Sequence, residues 1–113
     1  MVEIDGADRM NQRDVFILSK PPHSRRAKLC LLMLQHSEKA ILYLAGDGVY
    51  NLIDVAPLKA LPRVSVLACR EDMLARGLEA PEGERVAVTA ASEDFYRMLA
   101  EDIISEGSRI YSL

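Results

Sequence analysis

Five short apolar runs punctuate the chain, and amphipathic stretches separate them. Asp14-Val15-Phe16-Ile17-Leu18-Ser19 is the first run, and it is apolar at consecutive rather than alternate positions. That pattern predicts a strand buried on both faces. Lys20-Pro21-Pro22-His23 breaks it, and Ser24 supplies an N-cap for a helix reaching to about His36. Ala27, Cys30, Leu31 and Leu34 share one face of that helix. Ala40-Ile41-Leu42-Tyr43-Leu44-Ala45 predicts a second buried strand. Gly46-Asp47-Gly48 turns the chain into a short helix over 49–59, which Asp47 is placed to cap and Pro57 to distort.

The second half repeats the scheme. Residues 63–68 predict a third strand, with Cys69 at its carboxyl end and a short helix over 70–76 that Gly77 closes. Pro81-Glu82-Gly83 reads as a surface turn, and residues 85–90 as a fourth strand. Ser92 opens a helix with Glu93 and Asp94 in its first turn, where acids suit the dipole. Phe95, Met98, Leu99, Ile103 and Ile104 are its expected inward residues, and Gly107 its stop. Residues 108–113 predict a fifth, short strand.

Apolar strands alternating with amphipathic helices on short connections predict an α/β fold. Its expected form is a three-layer α/β/α domain with a mostly parallel five-stranded sheet, flavodoxin-like in outline. Ligands of such sheets lie outside the carboxyl ends of the strands. Residues 19–24, 45–50 and 68–72 should meet there.

Composition narrows the function classes. The chain has 113 residues, the size of one domain. Residues 1–13 are polar and unpatterned and read as a flexible lead-in to a single domain over 14–113. The net charge is −3, there is no Trp, and only six residues are aromatic. Neither a basic field nor stacking platforms for nucleic acid are expected. The acidic start lacks the apolar core of a signal peptide, and no apolar run approaches the length of a membrane span. The expected location is cytoplasmic, without membrane or direct nucleic-acid contact.

Cys30 and Cys69 are too sparse for a disulfide scaffold and read as reduced thiols. Cys69 is the sharper candidate for chemistry, because a thiol at a strand-to-helix junction meets unpaired backbone N–H groups and the positive end of the helix dipole. Both favour thiolate. Arg70 adds positive charge, while Glu71 and Asp72 oppose it. The competing reading is a buried structural cysteine, and for Cys30, inside the first helix, that reading is the stronger one. Lys20, His23, Arg25, Arg26 and Lys28 form a basic cluster around the start of the first helix, against its dipole. It reads either as a solvated face or as a site for an anionic partner. Gly46-Asp47-Gly48 is no dinucleotide fingerprint, and no C-x-x-C, H-E-x-x-H or G-x-S-x-G occurs. No cofactor or metal is expected.

Three stretches together resemble the DsrH/TusB proteins, small sulfur-relay subunits of the DsrE/DsrF/DsrH superfamily. Ile17-Leu18-Ser19-Lys20-Pro21-Pro22 resembles their first strand end. Gly46-Asp47-Gly48-Val49-Tyr50 resembles their "DGV" turn. Cys69-Arg70-Glu71-Asp72-Met73-Leu74-Ala75-Arg76-Gly77-Leu78 resembles their "EDL-x-ARGL" segment. Cys69 also stands where the DsrE/TusD branch carries its active cysteine, so the chain mixes features of two branches. The resemblance implies a five-stranded DsrE-like fold and a sulfur carrier rather than a stand-alone enzyme. Sulfane sulfur would travel as a persulfide on Cys69 between partner proteins, in tRNA thiolation or sulfur oxidation, with Cys30 as a second thiol. Lys20, Arg25, Asp47, Gly48 and Arg70 would bind or guide, and the partners would be other relay proteins in a homo- or hetero-oligomer. The alternative is a non-catalytic scaffold or interaction subunit of such a complex. A nucleotide-binding flavodoxin-like module is weaker, because no phosphate loop is present.

Overall fold

A computed structural model describes residues 13–79, 86–88 and 92–113. The elements in chain order are β1 (Asp14–Leu18), α1 (Arg25–Gln35), β2 (Ala40–Leu44), a 3₁₀ helix (Gly46–Leu52), α2 (Ala56–Lys59), β3 (Val64–Ala68), α3 (Arg70–Ala75), β4 (Val86–Val88), α4 (Ser92–Ile104) and β5 (Arg109–Ser112). The chain is an α/β protein. Four parallel pairings join the strands in the order β4-β3-β2-β1-β5.

That order explains how helices come to lie on both faces. From β1 to β4 the chain steps in one direction, then crosses the whole sheet back to β5. Parallel crossovers are right-handed, so reversing direction puts the returning helix on the opposite face. On face one, Phe16, Leu18, Leu42, Leu44, Val66 and Ala68 pack against α1, the 3₁₀ helix, α2 and α3. On face two, Val15, Ile41, Tyr43, Leu67 and Cys69 pack against Phe95 and Leu99 of α4. Strand alternation makes the division, since neighbouring residues point to opposite faces.

Local chemistry sets the helix ends. Ser24 caps α1 as expected, its Oγ accepting from the Ala27 N–H at 3.2 Å. Ala27, Cys30 and Leu34 are its buried stripe, with Leu31 packed at the margin. The expected helix over 49–59 is instead two pieces. The 3₁₀ turn ends at Leu52, and Asp54 Oδ1 accepts from the Ala56 N–H at 3.2 Å to start α2, with Pro57 in its first turn. Proline lacks an N–H and suits a first turn better than a helix interior. Asp47 makes no capping bond.

The inward face of α4 also differs from expectation. Phe95 and Leu99 are buried, Ile103 and Ile104 are exposed, and Asp102 takes the inward position at 7 % exposure. The Tyr43 hydroxyl donates to Asp102, and Arg13 pairs with it. A buried carboxylate is tolerated where it is paired and hydrogen-bonded. Hydrophobicity alone misassigned this turn. A spacing of seven residues from Phe95, about two helical turns, picks out Asp102. A second buried carboxylate, Asp14, accepts from Ser37 Oγ at 2.6 Å and from Arg109 Nε at 2.9 Å, tying β5 to β1. The expected lead-in over 1–13 and the turn at 81–83 lie outside the described residues, apart from Arg13.

Candidate functional site

The parallel registers bring the three expected segments to one sheet edge, and backbone bonds stitch them together. Ala45 N–H donates to the Leu18 carbonyl at 3.2 Å, and Cys69 N–H donates to the Leu44 carbonyl at 3.0 Å. Asn51 Nδ2 donates to the Lys20 carbonyl at 3.1 Å and to the Gly48 carbonyl at 2.8 Å. The carboxyl end of β5 joins them, with Ser19 N–H donating to the Leu113 carbonyl at 3.2 Å.

The two motifs at this edge contact one another. Gly46 N–H donates to Asp72 Oδ2 at 2.8 Å, and Arg76 Nε donates to Asp47 Oδ1 at 3.1 Å. The Arg76 guanidinium also lies over the Tyr50 ring, 5.9 Å from its centroid. Gly48 has no room for a side chain, because a Cβ would fall 2.0 Å from the Leu18 carbonyl oxygen. Gly77 takes φ +70°, and the bonds Gly77 N–H to Leu74 O and Leu78 N–H to Met73 O close α3 in a Schellman motif. The glycine-aspartate turn and the α3 segment are therefore the two halves of one clasp.

Cys69 stands at the predicted junction, one residue past β3 and at the N-cap of α3, but it is not reachable. It is 1 % exposed. Alternation along β3 sends Val64, Val66 and Ala68 to face one, where α3 packs, and sends Leu67 and Cys69 to face two, beneath α4. The sulfur is therefore directed into the cluster with Val15, Tyr43 and Phe95, and the side chain makes no capping bond to α3. Tyr96, next along α4, is half exposed and meets the Phe95 ring edge-on at 5.1 Å. Burial raises its phenol pKa, and the negative charges of Asp72 and Glu71 add to the shift. The cover of Cys69 by α4 has no local signature, because it depends on which face α4 returns to.

Cys30 is 0 % exposed, and burial pushes its thiol up to about 12. At neutral pH it is a protonated, small hydrophobe. Lys20, Arg25 and Arg70 are exposed, as is Asp47 beside Arg76, while Gly48 is buried. The structure thus brings Asp47, Gly48 and the α3 segment together at one edge and puts the two sulfurs on opposite faces of the sheet. Among the described residues no cluster of three or more His, Cys, Asp or Glu could hold a metal ion, and no helix is long and apolar enough to cross a membrane.

A cavity of about 200 Å³ opens between α1 and the 3₁₀–α2 segment, and Cys30 forms part of its wall. It could not be read from sequence, because it is a space between elements that meet only in the folded chain. No family model matches the chain, and no curated protein matches it.

Proposed function

We propose that this protein acts as a non-catalytic interaction subunit of a sulfur-transfer complex, of the kind the DsrH/TusB resemblance implies. The observation that carries this reading is the burial of both sulfurs, at 0 % and 1 % exposure. A persulfide carrier needs a thiolate that a partner's persulfide can approach. Cys30 is protonated in the core, and Cys69 lies beneath α4. The motif residues support the same reading from the other side. Asp47, Gly48, Asp72, Arg76 and Gly77 each have a structural task in the clasp, so the resemblance they carry concerns the scaffold and not an exposed reactive group.

What the surface offers is recognition. Leu29 and Leu32 are exposed on α1, and the charged side chains of Lys20, Arg25 and Arg70 stand free of the core. The partners on this reading are other relay proteins or further copies of the chain, assembled in the cytoplasm around a DsrE-like three-layer domain. The rival reading makes Cys69 the carrier, which requires α4 to move aside.

Intact mass separates the two. The reduced protein, Cys69→Ser and Cys30→Ser are each incubated with a persulfide donor. The interaction subunit gains no sulfur in any form. A gain of one sulfur that disappears only in Cys69→Ser would overturn the proposal in favour of the carrier.

A further inference from the structure

The cavity beside α1 has no part in the proposed role in sulfur transfer. Close-packed interiors leave few voids larger than a water molecule, and this one measures about 200 Å³. It is somewhat larger than the ~150 Å³ cavities that stay dry and admit benzene. Its floor is aliphatic, formed by Leu18, Leu34, Leu42 and Leu58 beside Cys30. The polar side chains of the lining are His23, Lys28, Tyr50, Asn51 and Asp54, and the Asn51 amide nitrogen is taken up by the Lys20 and Gly48 carbonyls. His23 and Lys28 stand on the α1 side, and Asp54 on the other, where its Oδ1 is occupied by the Ala56 N–H. An apolar pocket with a few polar groups at its mouth is the usual form of a small-molecule site.

The rim has a polarity of its own. α1 holds no acid in its first turn and carries Arg25 and Arg26 there, with Lys28 directly after. These cations oppose the dipole of the helix that bears them. The turn that presents them is held firmly: Ser24 Oγ donates to the Pro21 carbonyl at 2.7 Å, and His23 takes φ +69°, a conformation few non-glycine residues adopt.

We propose that this cavity binds a small carboxylate with an apolar body, a phenyl ring or short alkyl chain seated on the leucine floor and the carboxylate at the His23–Lys28 rim. The size excludes a folded peptide segment, and the aliphatic floor favours an apolar body over a sugar, whose hydroxyls would find no partners there. The site is on face one and does not involve Cys69, so the inference stands independently of the proposed role in sulfur transfer.

The test is an amide ¹H–¹⁵N titration of the whole chain with 3-phenylpropionate and, separately, with the neutral 3-phenylpropanol. Saturable shifts centred on Cys30, Leu34, Leu42 and Leu58 are expected for the acid, with a dissociation constant of roughly 1 mM or below. The alcohol should bind at least about threefold more weakly, as should the acid to Lys28→Glu. Cys30→Leu, which extends into the void, should abolish the shifts while keeping a dispersed spectrum. Ile53→Trp, at an exposed position of the rim, is the second blocking variant. The proposal is overturned if neither compound gives saturable shifts at the cavity. Equal binding of acid and alcohol, unchanged in Lys28→Glu, overturns it as well.

Discussion

The two faces of the sheet bury similar side chains by different means. Face one is covered by four consecutive segments, α1, the 3₁₀ helix, α2 and α3, that lie between successive strands of the sheet. Among the described residues, α4 alone covers face two, on the connection that crosses from one sheet edge to the other. The faces are also pinned differently. The clasp on face one joins exposed or half-exposed charges, Asp47 and Arg76. The pin on face two is buried, with Asp102 receiving the Tyr43 hydroxyl and Arg13. Each face hides one thiol, Cys30 inside a helix and Cys69 beneath one. A face covered by four local segments can lose one contact and remain closed. A face covered by one long-range helix cannot, so Cys69 is the more easily uncovered of the two.

Phe95→Ala is the most severe way to sharpen that contrast. Phe95 is fully buried and meets the Tyr43 ring edge-on, with centroids 5.4 Å apart. Its truncation should cost about 3–5 kcal/mol in urea unfolding. Under native conditions a thiol reagent should then label Cys69 at least about tenfold faster than Cys30, since local opening governs access. Faster labelling of Cys30 would break the comparison.

Alkaline titration probes the other thiol. Unfolded, Cys30 ionises near its ordinary 9.0, but folded it holds its proton to about 12. Its raised folded pKa gives stability that is complete below pH 9 and is lost as pH rises towards 12. The slope reaches at most about 1.4 kcal/mol per pH unit. The difference in unfolding free energy between the wild type and Cys30→Ala should change across that window and stay flat from pH 6 to 8. A flat difference throughout would mean that the Cys30 thiol is hydrated in the folded state.

The clasp gives the smallest effect. Asp47→Ala removes the carboxylate on which Arg76 rests, and that carboxylate is more than half exposed. Surface pairs of this kind contribute about 0–1 kcal/mol, so the midpoint of urea unfolding should barely move. A loss well above 1 kcal/mol would show that the clasp, and not the leucine core, holds face one closed.

The local pattern determined most of the element order. Consecutive apolar residues marked β1 and β2 as doubly buried, Ser24 marked the start of α1, and Gly77 marked the end of α3. Each depends on a few neighbouring residues and the chemistry of one turn, which a sequence displays directly. Cys69 was legible as a junction residue for the same reason. Its inaccessibility was not, because that follows from strand alternation combined with the crossover that sends α4 to face two. Asp102 facing inward was hidden for a related reason: its partners, Tyr43 and Arg13, are 59 and 89 positions away in the chain. The cavity came from neither pattern nor motif. It is a space between α1 and the second connection, and only the packing of elements against one another decides where a folded chain leaves room.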